Sequence, residues 1–428
     1  MTSRSTPPGR RWFAVFAAGG ALAVMMSAGC TSVLDRPSLP AAGTLDPRTA
    51  GPGVATTSAS ITPVTPDGLV TGPGVTDAGI TLAVLADPSA DRGFAEGVRL
   101  WQQSVNTTGG LCGRTVTIAA GGVDGVPQDP SAVYRQVGTT TLGLLAPVPP
   151  ADVMLSASIA ADQVPLVTAT GTSAQLGPSG PLVAGATVDI LAINGLQYLR
   201  TAGALVAGDT LGVLDDGSRS AANALTGARW WAGENDVALD VRNAAPQSPD
   251  WPGVAAVLAV ADSTAVSSLV GTTEVPVLTL LDGFAGPAGA GGEAATTGRL
   301  FVATPAPAYG SDYPAAVAVA SMAAATGAGT PGPRILDGHA TGATWGRLIT
   351  EACAERTLTR QGIRQAASTV GPAPATSLFG ASDPGLVVGS GLPATRVSSI
   401  SVTDPAAPTG LRSLAWLESA PDIEDYTP

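Results

Sequence analysis

Residues 80–118 read ITLAVLADPSADRGFAEGVRLWQQSVNTTGGLCGRTVTI, and this stretch decides the fold. It opens on a short apolar run, Ile80 to Leu85, which reads as a buried strand. Phe94, Val98, Trp101 and Val105 then recur four, three and four residues apart, the period of one helix face. Gly109 and Gly110 stop that helix, and Arg114 to Ile118 resumes as a strand. Strand, helix and strand in this order make a βαβ unit, whose strands run parallel.

The alternation continues outward from there. Asp129 reads as the cap of a helix that opens at Pro130 and runs to Val137. Leu142–Leu145 and Pro165–Thr168 are two more strands. A second region repeats the style. Helices are predicted over Ile190–Ala202, Ala221–Gly233 and Ala265–Val270, and strands over Thr210–Leu214, Val237–Val241, Val254–Val260 and Val275–Leu280. Three more helices are predicted over Ala315–Thr326, Thr344–Cys353 and Thr359–Ala366. Such alternation gives an α/β protein with parallel sheets covered on both faces, and ligands sit at the carboxyl ends of the strands. With 428 residues, the chain exceeds the roughly 250–300 at which a single core stops growing, so two lobes are expected.

The chain begins differently. Arg4, Arg10 and Arg11 precede an apolar run from Trp12 to Ala28, and Ala28 and Gly29 stand just before Cys30. Residues 1–29 therefore read as a secretory signal peptide with a lipoprotein-type cleavage site, which leaves Cys30 as an acylated N-terminus. Ser27 departs from the Leu, Val or Ile usual at that place. Arg10-Arg11-Trp12-Phe13 is similar to a twin-arginine signal, so the export route stays open. The rival reading is an uncleaved anchor, which is short for roughly 30 Å of hydrocarbon. Residues 30–74 are rich in Pro, Ser, Thr, Gly and Ala and read as a flexible tether, with order beginning near Val75. The expected location is extracytoplasmic, on the outer face of the cell membrane.

The formal charge is −12, and an acidic chain without a basic patch is a poor partner for nucleic acid. Cys112 and Cys353 remain as an even pair in an oxidising compartment; a disulfide is expected, with two buried thiols as the alternative. His339 is the one histidine, and no Cys or His cluster accompanies it. Neither a Gly-x-Ser-x-Gly elbow nor a P-loop occurs. No metal, no cofactor and no catalysis are expected. Gly286–Gly292 reads as a surface loop, Glu424 and Asp425 as solvated charge, and Trp230 and Trp231 as packing between a helix and its sheet.

The order of motifs resembles a known family. Val75-Thr76-Asp77 with Ile80 is similar to its opening strand. Gly97, Asn106 and Gly109-Gly110-Leu111-Cys112-Gly113-Arg114 are similar to its first helix and following turn. Asp129-Pro130-Ser131-Ala132-Val133, Val164-Pro165-Leu166, Val213-Leu214-Asp215-Asp216 with Gly227, and Pro276-Val277 with Asp282-Gly283-Phe284 follow in the family's order. Together they resemble the branched-chain amino acid (Leu/Ile/Val-type) substrate-binding lipoproteins of ABC transporters, of the type I periplasmic-binding-protein fold. Cys112 in its turn, with Cys353 before Leu358-Thr359-Arg360 and Gly362, resembles the actinobacterial branch.

The resemblance implies two Rossmann-like lobes joined by three crossovers near 188, 307 and 370. The first lobe would comprise 75–188 and 308–370. The second would comprise 189–307 and 371–428, the latter including a C-terminal tail. It further implies a monomer that captures a small polar, amino acid-like ligand between its lobes and delivers it to an ABC permease. Hydroxyls, backbone amides, an aromatic and a carboxylate grip the ligand in that family. Here the loop Ala146-Pro147-Val148-Pro149-Pro150 carries no hydroxyl, and three of its residues lack an N–H. The candidate ligand contacts are Thr170 and Thr172 in the next loop, Arg219 at the place of the family's cleft Tyr, Asp262 and Asp282. Each has a local reading beside it: turn hydroxyls for Thr170 and Thr172, a solvated helix start for Arg219, a helix cap for Asp262, and a turn for Asp282. The proline-rich loop also supports a second functional reading, a non-transport sensory or protein-interaction lipoprotein with a degenerate cleft.

Overall fold

The computed structural model describes residues 65, 67–87, 90–119, 129–244, 250–286, 298–327, 331–381, 386 and 391–428. The signal at 1–29, Cys30, most of the tether and the loop at 287–292 lie outside these residues. The described residues form one compact unit.

The described chain enters through β1 (Val70–Thr71), ahead of the expected start at Val75. β2 (Gly79–Val84) buries Ile80, Leu82 and Ala83 without a polar face, as a strand covered on both sides must. α1 (Phe94–Thr107) buries Phe94, Val98 and Trp101 along one stripe. The turn after it leads into β3 (Thr115–Ala119), parallel to β2. Gly110 sits there at φ +79°, and a Cβ on it would lie 2.0 Å from the Arg114 carbonyl oxygen, so the turn requires glycine. Arg114 is buried in the same turn and donates through Nε to Thr76 O at 2.8 Å and through Nη1 to Cys112 O at 3.0 Å.

The first sheet is completed by α2 (Pro130–Val137), β4 (Gly143–Ala146), α3 (Val153–Ala161), β5 (Leu166–Thr168) and β6 (Leu182–Val183). Its five strands are parallel, in the order β3-β2-β4-β5-β6. Asp129 caps α2 by accepting from Ser131 N, as its sequence context predicts. α3 was not expected: it buries only Leu155 and Ile159, and its remaining apolar residues form no stripe.

The second sheet is built from α4 (Val188–Thr201), β7 (Thr210–Asp215), α5 (Arg219–Glu234), β8 (Ala238–Asn243), β9 (Ala256–Val260), α6 (Ser263–Thr272), β10 (Val277–Leu280) and β11 (Leu300–Thr304). Its parallel strands lie in the order β11-β10-β9-β7-β8. The chain then returns to the first sheet through α7 (Pro314–Ala325), α8 (Ile335–Ala354), β12 (Thr357–Leu358) and α9 (Arg360–Thr369), which share a core with α1 and β2. β12 pairs in parallel with β1. Finally β13 (Ser398–Thr403) and β14 (Leu411–Glu418) extend the second sheet beyond β11 as antiparallel edge strands.

α8 starts at Ile335, well before the expected Thr344. Gly338 and Gly342 weaken its helical signal, yet they are where α1 seats: a Cβ on Gly338 would meet Phe94 O at 2.0 Å, and one on Gly342 would meet the Trp101 ring at 2.5 Å. A disulfide joins Cys112 in the α1–β3 turn to Cys353 near the end of α8. Passage from the first core to the second falls between Ala184 and Ala186, and the last passage between Ala394 and Ile400. The latter comes after 370 because Leu378, Phe379 and Ala394 still pack on the first core. Glu424 is exposed and 3.4 Å from Arg396, but its neighbours Ile423 and Tyr426 are buried, so the C-terminal segment is docked. Trp231 is buried on α5 and donates to Gln197 Oε1, and Trp230 packs on the Tyr426 ring.

Candidate functional site

The loops at the carboxyl ends of β4 and β5 in the first sheet face those of β7, β9 and β10 in the second. Between them lies a cavity of about 630 Å³. This is where open α/β sheets place their ligands. Val148, Pro149 and Pro150 wall it on one side, and Val260, Ala261 and Leu280 on the other. Thr172 and Gln175 bring polar groups from the first side, and Asp216, Ser218, Arg219 and Ser220 from the turn and first residues of α5.

Four of the five candidate contacts line this cavity; Thr170 does not. Thr170 is buried, and its hydroxyl donates to Ala186 O at 2.6 Å, tying β5's loop to the start of α4. Thr172 lines the cavity, but its hydroxyl bonds Gln175 Oε1 at 3.0 Å in a capping box. Asp262 caps α6, accepting from Thr264 N at 2.8 Å and Ala265 N at 3.0 Å. Arg219 donates through Nη2 to Ala151 O at 3.1 Å, reaching from the second sheet to the loop after β4. Its other N–H groups have no described partner, and it is the one cation among the described lining residues.

Asp282 sits in the short turn Leu281–Gly283 after β10, and its carboxylate is held by the Arg334 guanidinium. Arg334 stands just before α8, is 3% exposed, and also lies 3.3 Å from Asp91 and 3.6 Å from Asp337. One buried cation thus gathers three carboxylates, two from the elements around the first sheet and one from the second. Burial pushes the Asp337 carboxyl up to about 7, with Arg334 pulling the other way. Burial also raises Asp91, again opposed by Arg334. Arg92 adds a further crossing, donating through Nη2 to Ala285 O at 3.1 Å. Arg334 and Arg92 are the residues that sequence reasoning missed, and nothing in their local context marks them. His339 lies elsewhere, on α8. Among the described residues no group of His, Cys, Asp and Glu is arranged to hold a metal ion.

Among solved structures the chain is similar to a fatty acid ABC transporter substrate-binding protein from Thermomonospora curvata. The TM-score is 0.72 at 23% identity, over 85% of this chain and 98% of that one. It is also similar to a branched-chain amino acid ABC transporter protein from Thermus thermophilus with bound valine, at TM-score 0.62 and 14% identity, over 81% and 98% of the two chains. The chain has the type I periplasmic-binding-protein fold. An ABC transporter substrate-binding protein from Aeropyrum pernix shares it at TM-score 0.60 and 16% identity, over 81% and 97%. No protein-family model and no curated protein matches the chain. In this type I fold the cavity lies where the carboxyl ends of the two sheets meet, and the Arg334 cluster stands beside it at Asp282.

Proposed function

We propose that this chain is an extracytoplasmic solute-binding protein that captures a small polar ligand between two lobes and presents it to an ABC permease. The lobes we assign are 75–184 with 308–394, and 186–307 with 400–428. Cys30 serves as the lipid anchor. The observation that carries this reading is the cavity of about 630 Å³, bordered by strand-end loops of both sheets. A site of this size encloses a molecule of amino acid dimensions with room to spare.

The lining points to a ligand that bears an acid group. Asp282 is held by Arg334, while Asp216 and Asp262 each spend one carboxylate oxygen on local backbone N–H groups and keep the other for an ammonium beside the acid group. Arg219 offers open N–H groups in a fixed fork, which suits a carboxylate. The apolar walls suit the remainder of such a molecule. The two similar proteins whose printed titles name a fatty acid and valine support this choice, since both compounds carry a carboxylate. Binding stabilises the closed arrangement of the lobes and requires no bond to be made or broken.

A thermal-shift screen tests the proposal. A ligand at 100 times its dissociation constant adds about 2.7 kcal/mol to stability. Carboxylic acids, amino acids among them, are expected to raise the melting point, while their amides and alcohols are not. Silence from every small molecule, with capture of a defined protein partner, favours the sensory or interaction reading instead.

A further inference from the structure

The end of the chain ties together two of the passages between the cores, Ala184 to Ala186 and Ala394 to Ile400. Arg396 in the later passage donates through Nη1 to Ile423 O at 2.6 Å and to Tyr426 O at 3.0 Å. Asn194 of α4 accepts from Ala420 N at 2.8 Å and donates to Arg396 O at 3.0 Å. Tyr426 is buried, packs on the Trp230 ring, and donates its hydroxyl to Asp189 Oδ2 at 2.8 Å. Asp189 lies in the first turn of α4, just after the earlier passage, and is fully buried. Burial and this neighbouring carboxylate both raise the Tyr426 phenol above its ordinary pKa, so its hydroxyl stays a donor.

The same Asp189 Oδ2 also accepts from Ser173 Oγ. Ser173 belongs to the short turn between β5 and β6 of the first sheet, and Thr172 and Gln175 of that turn line the cleft. The N–H groups of Ser173 and Asp189 converge on Asn223 Oδ1 of α5, at 3.3 and 3.2 Å. A run of hydrogen bonds therefore leads from the C-terminal segment to the rim of the cleft, and one buried carboxylate carries it from the second core's side to the first. The segment also takes left-handed backbone at two residues other than glycine, Leu417 at φ +57° and Asp422 at φ +59°. Such conformations persist where the surroundings hold them in place. Bending at the two passages moves Asp189 and Arg396 relative to each other, and the segment bonded to both resists it. We propose that residues 420–426 brace the hinge between the lobes, with Tyr426 as a positioning residue that fixes the Thr172–Gln175 turn through Asp189. The brace does not depend on what the cleft binds; that the turn it fixes serves ligand capture rests on the proposed reading of the cleft.

Amide hydrogen exchange of the full chain, followed by mass spectrometry, tests the brace without any ligand. Tyr426→Phe removes one hydroxyl and keeps the ring against Trp230. Amides of residues 172–175 and 189–190 are expected to exchange about 10-fold faster than in the wild type, the equivalent of one hydrogen bond, while those of 340–350 in α8 gain less. Ser173→Ala breaks the same network at its other end. It is expected to speed exchange in 420–426 by a similar factor, because coupling is reciprocal. The proposal is overturned if residues 172–175 gain no more than α8 does in Tyr426→Phe, or if Ser173→Ala leaves 420–426 unchanged. Ser173→Ala decides the point alone if Tyr426→Phe fails to fold. Failure of the cleft as a binding site would show in the thermal-shift screen instead and leave this exchange pattern intact.

Discussion

Replacing Arg334 by Met removes the cation from a site that holds three carboxylates and leaves the apolar stem in place. At an effective dielectric constant of about 20, a pair 3.5 Å apart attracts by about 5 kcal/mol before desolvation is counted. Arg334 stands 3.3 Å from Asp91 and 3.6 Å from Asp337, and Asp337 is itself only 3% exposed. Removing one partner of a buried pair costs about 3–5 kcal/mol, because a buried charge is left uncompensated. Arg334→Met is therefore expected to lose about that much in urea unfolding at pH 8. The loss should shrink toward pH 5. The folded-state pKa of Asp337 is already raised to about 7, so its stabilising contribution is complete below the unfolded value near 3.8 and fades as pH rises through 7. Without Arg334 that carboxyl is raised further, and acid relieves the variant more than the wild type. In an Asp337→Asn background the same substitution should cost less, by about 0.5–3 kcal/mol of coupling. A loss below 1 kcal/mol at pH 8, or a loss that grows toward pH 5, refutes the reasoning.

Three shorter expectations follow from the same structure. The disulfide between Cys112 and Cys353 closes a separation of 241 residues, for which the chain-entropy relation gives about 5 kcal/mol. A Cys112→Ser, Cys353→Ser double variant is expected to lose at least about 2 kcal/mol in unfolding measurements, and an unchanged midpoint contradicts this. His339 has its folded pKa depressed to about 4, so it contributes stability above the unfolded value near 6.5, and that contribution is lost as pH falls through 4. It amounts to about 3 kcal/mol, and the stability of His339→Phe followed by pH titration should lack this acid-side decline. Arg219→Ala is expected to weaken the best carboxylate ligand about 10- to 100-fold in calorimetry, and unchanged affinity removes Arg219 from the site.

Much of the fold was legible because parallel strands covered on both faces must be apolar throughout. Ile80–Leu85, Thr210–Leu214 and Val275–Leu280 each show this. The β13–β14 pair was not legible. Its buried side chains include Ser398, Ser399 and Ser401, which leave no hydrophobic alternation to read. The first half of α8 was hidden by Gly338 and Gly342, residues that suppress helix propensity but let α1 pack close. Of the site, Thr172, Arg219, Asp262 and Asp282 could be placed because they follow strands whose carboxyl ends face the cavity. What those groups were already bonded to could not be read. Asp282 meets Arg334 from 52 residues away along the chain, and only the folding of α8 against the second sheet's turn brings them together. Thr170 fails as a lining residue for a similar reason: its hydroxyl finds the Ala186 carbonyl first.

The central claim is that a small molecule sits in the cavity between the strand-end loops. Ser220 lines that cavity on α5 and is only half-buried, so Ser220→Trp narrows the space without disturbing either core. Isothermal titration of the best ligand from the thermal-shift screen into both proteins tests the claim most directly. Saturable one-to-one binding to the wild type is expected, with affinity at least about 10-fold weaker in Ser220→Trp at an unchanged melting point, the equivalent of about 1.4 kcal/mol. Equal affinity for the two proteins would contradict the claim.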